Sequence, residues 1–87
     1  MNIEESNKLK TIELVKALES FESDSRESFL TALVSDESNS SADQIIDNLL
    51  VVNTMIKVIP DMDIKSERKL EWLDRLDILK NTLENKL

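Results

Sequence analysis

The segment LLVVNTMIKVIP, residues 49–60, contains eight apolar residues in its first eleven positions and ends at the only proline of the chain. Apolar residues here continue a pattern that begins upstream and repeats at steps of four, three, four and three: Ile45, Leu49, Val52, Ile56 and Ile59. This is the period of an α-helix, and the strict alternation of a half-buried strand is absent. The many β-branched residues leave a strand as the alternative. The pattern therefore predicts a helix.

Both ends of this helix have sequence signals. Ser41 is followed three residues later by Gln44, which is the spacing of a capping box. Pro60 predicts the end of the helix, because the residue before a proline avoids the α region. The helix is therefore expected to run from about Ser41 to Pro60.

This helix carries more apolar surface than a single stripe needs. On a helical wheel Asp43, Asp47 and Thr54 lie opposite the stripe, Met55 lies at its edge, and the remaining apolar residues fall beside the polar ones: Leu50, Val51 and Val58. A surface helix normally has one apolar stripe, whereas a helix that is apolar nearly all round is buried. Either the other helices surround this one, or these three side chains meet another molecule.

The rest of the chain predicts an all-α fold. Glycine is absent, and sheets and tight turns depend on glycine for positive φ. Three further helices are predicted from apolar spacing: about Ile3–Phe21, about Asp24–Val34, and from Asp63 or Ser66 to near the C-terminus. Residues 35–41, SDESNSS, predict a loop. We expect one domain, residues 1–87, forming a small bundle of about four helices, two of them long, joined by short polar loops.

The outer helices have stripes and caps of their own. Asn2 and Glu5 have capping-box spacing at the start of the first helix. One face of that helix is predicted from Leu9, Ile12, Val15 and Leu18. One side of the last helix is predicted from a row of leucines with Trp72 beside it: Leu70, Leu73, Leu76, Leu79 and Leu83.

The net charge of −7 is concentrated in the middle of the chain. Residues 1–18 and residues 48–87 are each balanced, whereas residues 19–47 hold eight acids and only Arg26. An acidic region disfavours nucleic acid and anionic membranes as direct ligands, because both attract Lys and Arg. It favours a protein partner with a basic surface, although acids at helix starts also serve solubility and the helix dipole.

This composition disfavours several chemistries. There is no histidine to act as a base, no cysteine to ligate a metal, and no glycine for a phosphate-binding loop. Asp61 and Asp63 have the spacing of a calcium loop, but Ser66 stands where glycine is needed and Trp72 where a glutamate belongs. These two acids are instead expected to start the last helix. We therefore expect no metal, no cofactor, no small-molecule substrate and no enzymatic activity.

These features predict a cytoplasmic protein that acts by protein–protein binding, as a regulator, an inhibitor of the immunity type or a chaperone-like adaptor. The N-terminus lacks the apolar core of a secretory signal, and no apolar run is long enough to span a membrane. Two alternatives remain: an obligate homodimer with no electrostatic site, and an acidic mimic of nucleic acid that blocks a basic groove. The predicted partner-binding residues are Glu22, Asp36, Glu37, Asp43, Asp47, Leu50, Val51 and Val58.

Overall fold

The central apolar segment is a helix in the computed structural model, which describes residues 3–87 apart from the Ser23 side chain. This helix, α3, spans Ala42–Val58. The predicted capping box is present, with the Gln44 backbone N–H donating to Ser41 Oγ at 3.3 Å and the Ser41 N–H donating to Gln44 Oε1 at 3.2 Å. The helix ends near Pro60 as predicted, in a short 3₁₀ segment, Ile59–Asp61, but the reason given was wrong, because Ile59 keeps α-region backbone before the proline.

Three other α-helices complete the described residues, and no strand occurs among them. Helix α1 spans Ile3–Ser20, α2 spans Ser23–Leu33 and α4 spans Ser66–Glu84. The all-α prediction is therefore confirmed. The predicted loop contains a 3₁₀ turn, Glu37–Asn39. The predicted cap at Asn2 lies outside the described residues.

The start of α4 corrects one sequence-based expectation. Asp61 belongs to the 3₁₀ segment after Pro60, and Asp63 lies in the connection that follows, so neither acid starts α4. The helix begins at Ser66 instead. The physical reason is that the 3₁₀ segment is followed by extended backbone at Met62, whose buried side chain anchors the connection to the core.

Helix α3 is the middle of the fold, because it packs against both α1 and α4. Its side chains Val52 and Met55 are fully enclosed, as are Ile59 directly after it, Val15 of α1 and Leu76 of α4. The molecule measures 35 × 34 × 18 Å between Cα extremes. Since one helix with its side chains is about 10–12 Å across, the short dimension has room for about two layers. Two neighbours in so thin a molecule cannot cover α3 on all sides.

The buried row of α4 starts at Trp72 rather than at Leu70. Trp72 is 4% exposed, whereas Leu70 is 68% exposed and does not join the predicted stripe. The buried residues are Trp72, Leu76, Leu79 and Leu83, with Leu73 half-buried at the margin. Trp72 takes the core position because it buries the larger apolar surface and its indole N–H has a partner in α1. Leu9 of α1 is likewise exposed, so the stripe of that helix is covered only from Ile12 onward.

A half-buried asparagine pair, Asn39 and Asn48, ties the end of α2 to α3. Asn48 Nδ2 donates to the carbonyl oxygens of Leu33 and Ser38, both at 3.2 Å, and to Asn39 Oδ1 at 3.1 Å. Asn39 Nδ2 also donates to the Leu33 oxygen at 2.9 Å. These bonds satisfy carbonyl groups that a helix end leaves without partners. They position the acidic 35–41 loop beside the first turns of α3.

The corrected core of α4 predicts unequal effects of two leucine truncations. We expect Leu76→Ala to lower the free energy of unfolding by about 2–5 kcal/mol, because it leaves a cavity in an enclosed site. Leu70→Ala is the matched control on the same helix and should change that free energy by less than about 0.5 kcal/mol. Urea unfolding followed by far-UV circular dichroism measures both. Similar losses from the two variants would contradict this assignment of the core.

Candidate functional site

One face of α3 is left uncovered by the other helices. We call it the α3 outer face and define it by Asp43, Ile46, Asp47, Leu50 and Lys57, all of which are exposed. Ile46 is 54% exposed and Leu50 is 56% exposed. Because residues four apart are neighbours on a helix, these two apolar side chains form one patch. Two aspartates lie at one end of that patch and a lysine lies at the other.

A groove between α1 and α3 borders this face. It consists of two adjoining cavities of about 270 and 390 Å³ that share Asn7, Leu50 and Thr54. Leu14 and Val51 give the first cavity an apolar wall, and Ile3 lies over the second. The charged residues that line the groove are three lysines, Lys8, Lys10 and Lys57, and one acid, Glu4. The groove is thus apolar inside and basic at its edge, although the chain as a whole is acidic.

The apolar residues of the predicted site divide into three cases. Leu50 is more than half exposed and Val51 is half-buried in the groove wall. Val58 is only 5% exposed and belongs to the core, so its predicted place off the core is wrong. The reason is that α1 and the segment around Met62 cover the last turn of α3, and periodicity in α3 alone does not show where a neighbouring helix lies.

The predicted acidic residues are all exposed, but they do not form one cluster. Asp43 and Asp47 belong to the α3 outer face, and Glu37 lies in the 3₁₀ turn that packs against α3. Asp36 accepts a hydrogen bond from Lys86 Nζ at 2.9 Å. Glu22 precedes α2, so the length of that helix, about 16 Å, separates it from the loop acids. The structure therefore groups four of the five acids around the start of α3.

A second polar centre joins α1 to α4. The Arg68 side chain donates to both carboxylate oxygens of Glu19, with Nη2–Oε1 at 2.7 Å and Nε–Oε2 at 3.4 Å, and Trp72 Nε1 donates to Oε1. Hydrogen bonding from Arg68 lowers the pKa of Glu19 below its ordinary value of 4.5, burial opposes this effect, and the Trp72 bond adds to it. The same pairing raises the pKa of Arg68. This centre fixes the position of α4 relative to α1.

All three arginines of the chain line one cavity of about 200 Å³ between α2 and α4. Two of them are already paired with carboxylates there: Arg68 with Glu71, and Arg75 Nη2 with Glu27 Oε2 at 3.1 Å. Leu30 and Trp72 form its apolar part. Since carboxylates line the cavity along with the guanidinium groups, it functions as an ion-paired seam between helices, and an anionic ligand would have to displace those pairs.

Comparisons with known proteins do not assign a family. The chain matches no protein-family model, and searches of curated proteins and of solved structures give no significant match. Within residues 3–87, no three Asp or Glu side chains are grouped in a way that could hold a metal ion. None of the helices in this range has both the length and the apolar character of a membrane span.

The partner-binding residues predicted from the sequence did not include three parts of the site: Ile46, Lys57 and the α1 side of the groove. Ile46 lies four residues before Leu50, and that spacing was the available signal. Lys57 lies seven residues after Leu50, at a spacing that returns a helix to nearly the same face. The α1 side of the groove, including Ile3 and Asn7, carried no signal, because only the packing of α1 against α3 brings it there.

Acid should weaken the fold through Glu19. Since the pKa of this carboxyl is lower in the folded chain, its stabilising effect is present above pH 4.5 and is lost as the pH falls through the lowered value. We expect the free energy of unfolding, measured by urea titration from about pH 6 to pH 3, to fall less steeply in Glu19→Gln than in the wild type. Arg68→Gln, which removes the paired cation, should flatten the same curve.

Glu13→Gln serves as the control for the loss of one negative charge, because Glu13 is an exposed residue of the same helix. At neutral pH, Glu19→Gln should be less stable than Glu13→Gln, since it breaks a partly buried hydrogen-bonded pair. If the free energy of unfolding fell with pH as steeply in Glu19→Gln and Arg68→Gln as in the wild type, the role given to this centre would be contradicted.

Proposed function

We propose that this protein is a non-enzymatic binding module that recognises another protein through the α3 outer face and the adjoining groove. The observation that carries the proposal is the exposed pair Ile46 and Leu50, which lies between two aspartates and an apolar groove. Single exposed apolar residues are common on protein surfaces, whereas apolar residues that adjoin a groove with a polar rim are typical of interaction sites.

The energetics favour a partner that fills the groove as well as the face. Burying Ile46 and Leu50 completely contributes at most about 1.5–3 kcal/mol each, and both are already half-covered. Association costs on the order of 4–15 kcal/mol, so these two side chains cannot supply the binding free energy alone. A partner therefore has to bury the groove residues Ile3 and Val51 together with them.

The acids around the start of α3 favour a partner with a basic surface. Asp43 and Asp47 lie at one end of the face, where a basic residue of a partner would approach them, and Glu37 lies in the 3₁₀ turn that packs against α3. Exposed charge pairs at a rim raise the association rate more than the affinity. The nucleic-acid mimic draws less support, because Glu22 is set apart from the other acids and Asp36 is paired with Lys86.

Two matched pairs of variants test this proposal in affinity capture from cells that produce the protein, with the captured species weighed. Leu50→Asp on the α3 outer face is compared with Ile78→Asp on α4, where the native side chain is 50% exposed. Asp43→Lys with Asp47→Lys is compared with Asp74→Lys and Asp77→Lys, two exposed acids of α4. The α3 variants should lose the partner that the wild type retains.

The α4 variants control for changes in solubility and in net charge, and they should retain the partner. Far-UV circular dichroism confirms that each variant is folded before capture. A partner that all four variants retain equally, or that is lost only from the α4 variants, would exclude the α3 outer face as the binding site.

A further inference from the structure

Three residues of the α3 outer face are spaced evenly, with Asp43, Leu50 and Lys57 each seven positions apart. Seven residues fall only about 20° short of two helical turns, so the three side chains form a row along one face. Neighbours in this row are about 10.5 Å apart. The row thus has a carboxylate at one end, an apolar residue at its centre and an ammonium group at the other end.

We infer that a second copy of this chain occupies the α3 outer face, with the two α3 helices antiparallel and related by a two-fold axis at Leu50. This inference rests on the proposed function and names one partner for the same surface. In a two-fold interface, if residue i contacts residue j, then j also contacts i. Leu50 therefore meets Leu50, and Asp43 of each copy lies opposite Lys57 of the other.

The remaining positions of the row are compatible with this pairing. Ile46 of one copy lies on the same side of the row as Asn53 of the other, and Asp47 lies on the same side as Thr54 of the other. The Thr54 hydroxyl donates to the Leu50 carbonyl oxygen at 2.7 Å, so burial leaves no hydroxyl hydrogen unpaired. No two like charges of α3 are placed opposite each other.

The groove extends this complementarity to α1. Lys8 and Lys57 line the same cavity at the C-terminal end of α3, beside Ile3, which is 82% exposed. An antiparallel second copy places the acidic end of its own α3, with Asp43 and Asp47, over this basic end. The chain therefore carries both signs of charge on one surface, in the order that a two-fold axis requires.

Exchanging charges on the 87-residue chain tests the arrangement. Association is measured by sedimentation equilibrium near 0.15 M salt, where the Debye length is about 8 Å. The wild type should sediment with twice the 10.0 kDa mass of the chain. Asp43→Lys alone and Lys57→Asp alone each replace two attractive pairs by two repulsive ones. We expect each to weaken the dimer about tenfold or more.

The double variant Asp43→Lys/Lys57→Asp restores opposite charges at both pairs and should recover the wild-type dissociation constant. A mixture of the two single variants should also associate, because each heterodimer again has two opposite pairs. A wild type that stays monomeric up to about 1 mM, or single variants that dimerise as tightly as the wild type, would overturn the inference.

Disulfide trapping locates the axis, since the chain has no cysteine of its own. Leu50→Cys should form a disulfide-linked dimer on mild oxidation, because the two residues at a two-fold axis come within bonding distance. Ile78→Cys on α4 is the matched control and should remain monomeric. Equal yields from the two variants, or linkage of Ile78→Cys alone, would contradict an axis at Leu50.

The double charge variant also separates this inference from the proposed function. It keeps the dimer but reverses the charges seen by any different protein. If the dimer is absent while the α3 outer face still captures another protein, the inference fails and the proposed function stands. If α3 variants affect neither dimer formation nor capture, both fail.

Discussion

The fold depends on the burial of one very apolar helix between two neighbours. Val52 and Met55 of α3 and Ile59 directly after it are fully enclosed, and α1 and α4 pack against α3. Without cysteine to form disulfides, a chain of 87 residues has to gain much of its stability from such packing. Because the molecule is only about two layers thick, the same arrangement leaves the opposite side of α3 in contact with solvent.

Polar contacts supply the specificity that apolar packing lacks. Glu19 accepts hydrogen bonds from Arg68 and Trp72, which fixes α4 against α1. Asn48 and Asn39 hold the end of α2 and the acidic loop beside the start of α3. Leucine-rich surfaces can slide or rotate against one another with little loss of contact, whereas hydrogen bonds with fixed geometry cannot. These two centres therefore determine which residues surround the α3 outer face.

The candidate site could be predicted in part. The exposure of Asp43, Asp47 and Leu50 follows from their position opposite the apolar stripe of α3, which periodicity alone reveals. Val58 was placed wrongly, because its burial comes from α1, which is distant in sequence, and from Met62 in the connection that follows α3. Ile46 and Lys57 had helical spacing from Leu50, but their importance emerges only once α3 is known to have an open side.

The sequence by itself determined the elements of this protein: four helices, the capping box at Ser41, the end of α3 at Pro60 and the concentration of acids before and within the start of α3. These features are local, because they depend on residues within a few positions of one another. Only the tertiary structure decided which apolar residues are covered. It buried Val58 and Trp72 and left Leu50 and Leu70 exposed, because burial depends on how helices distant in the chain pack together.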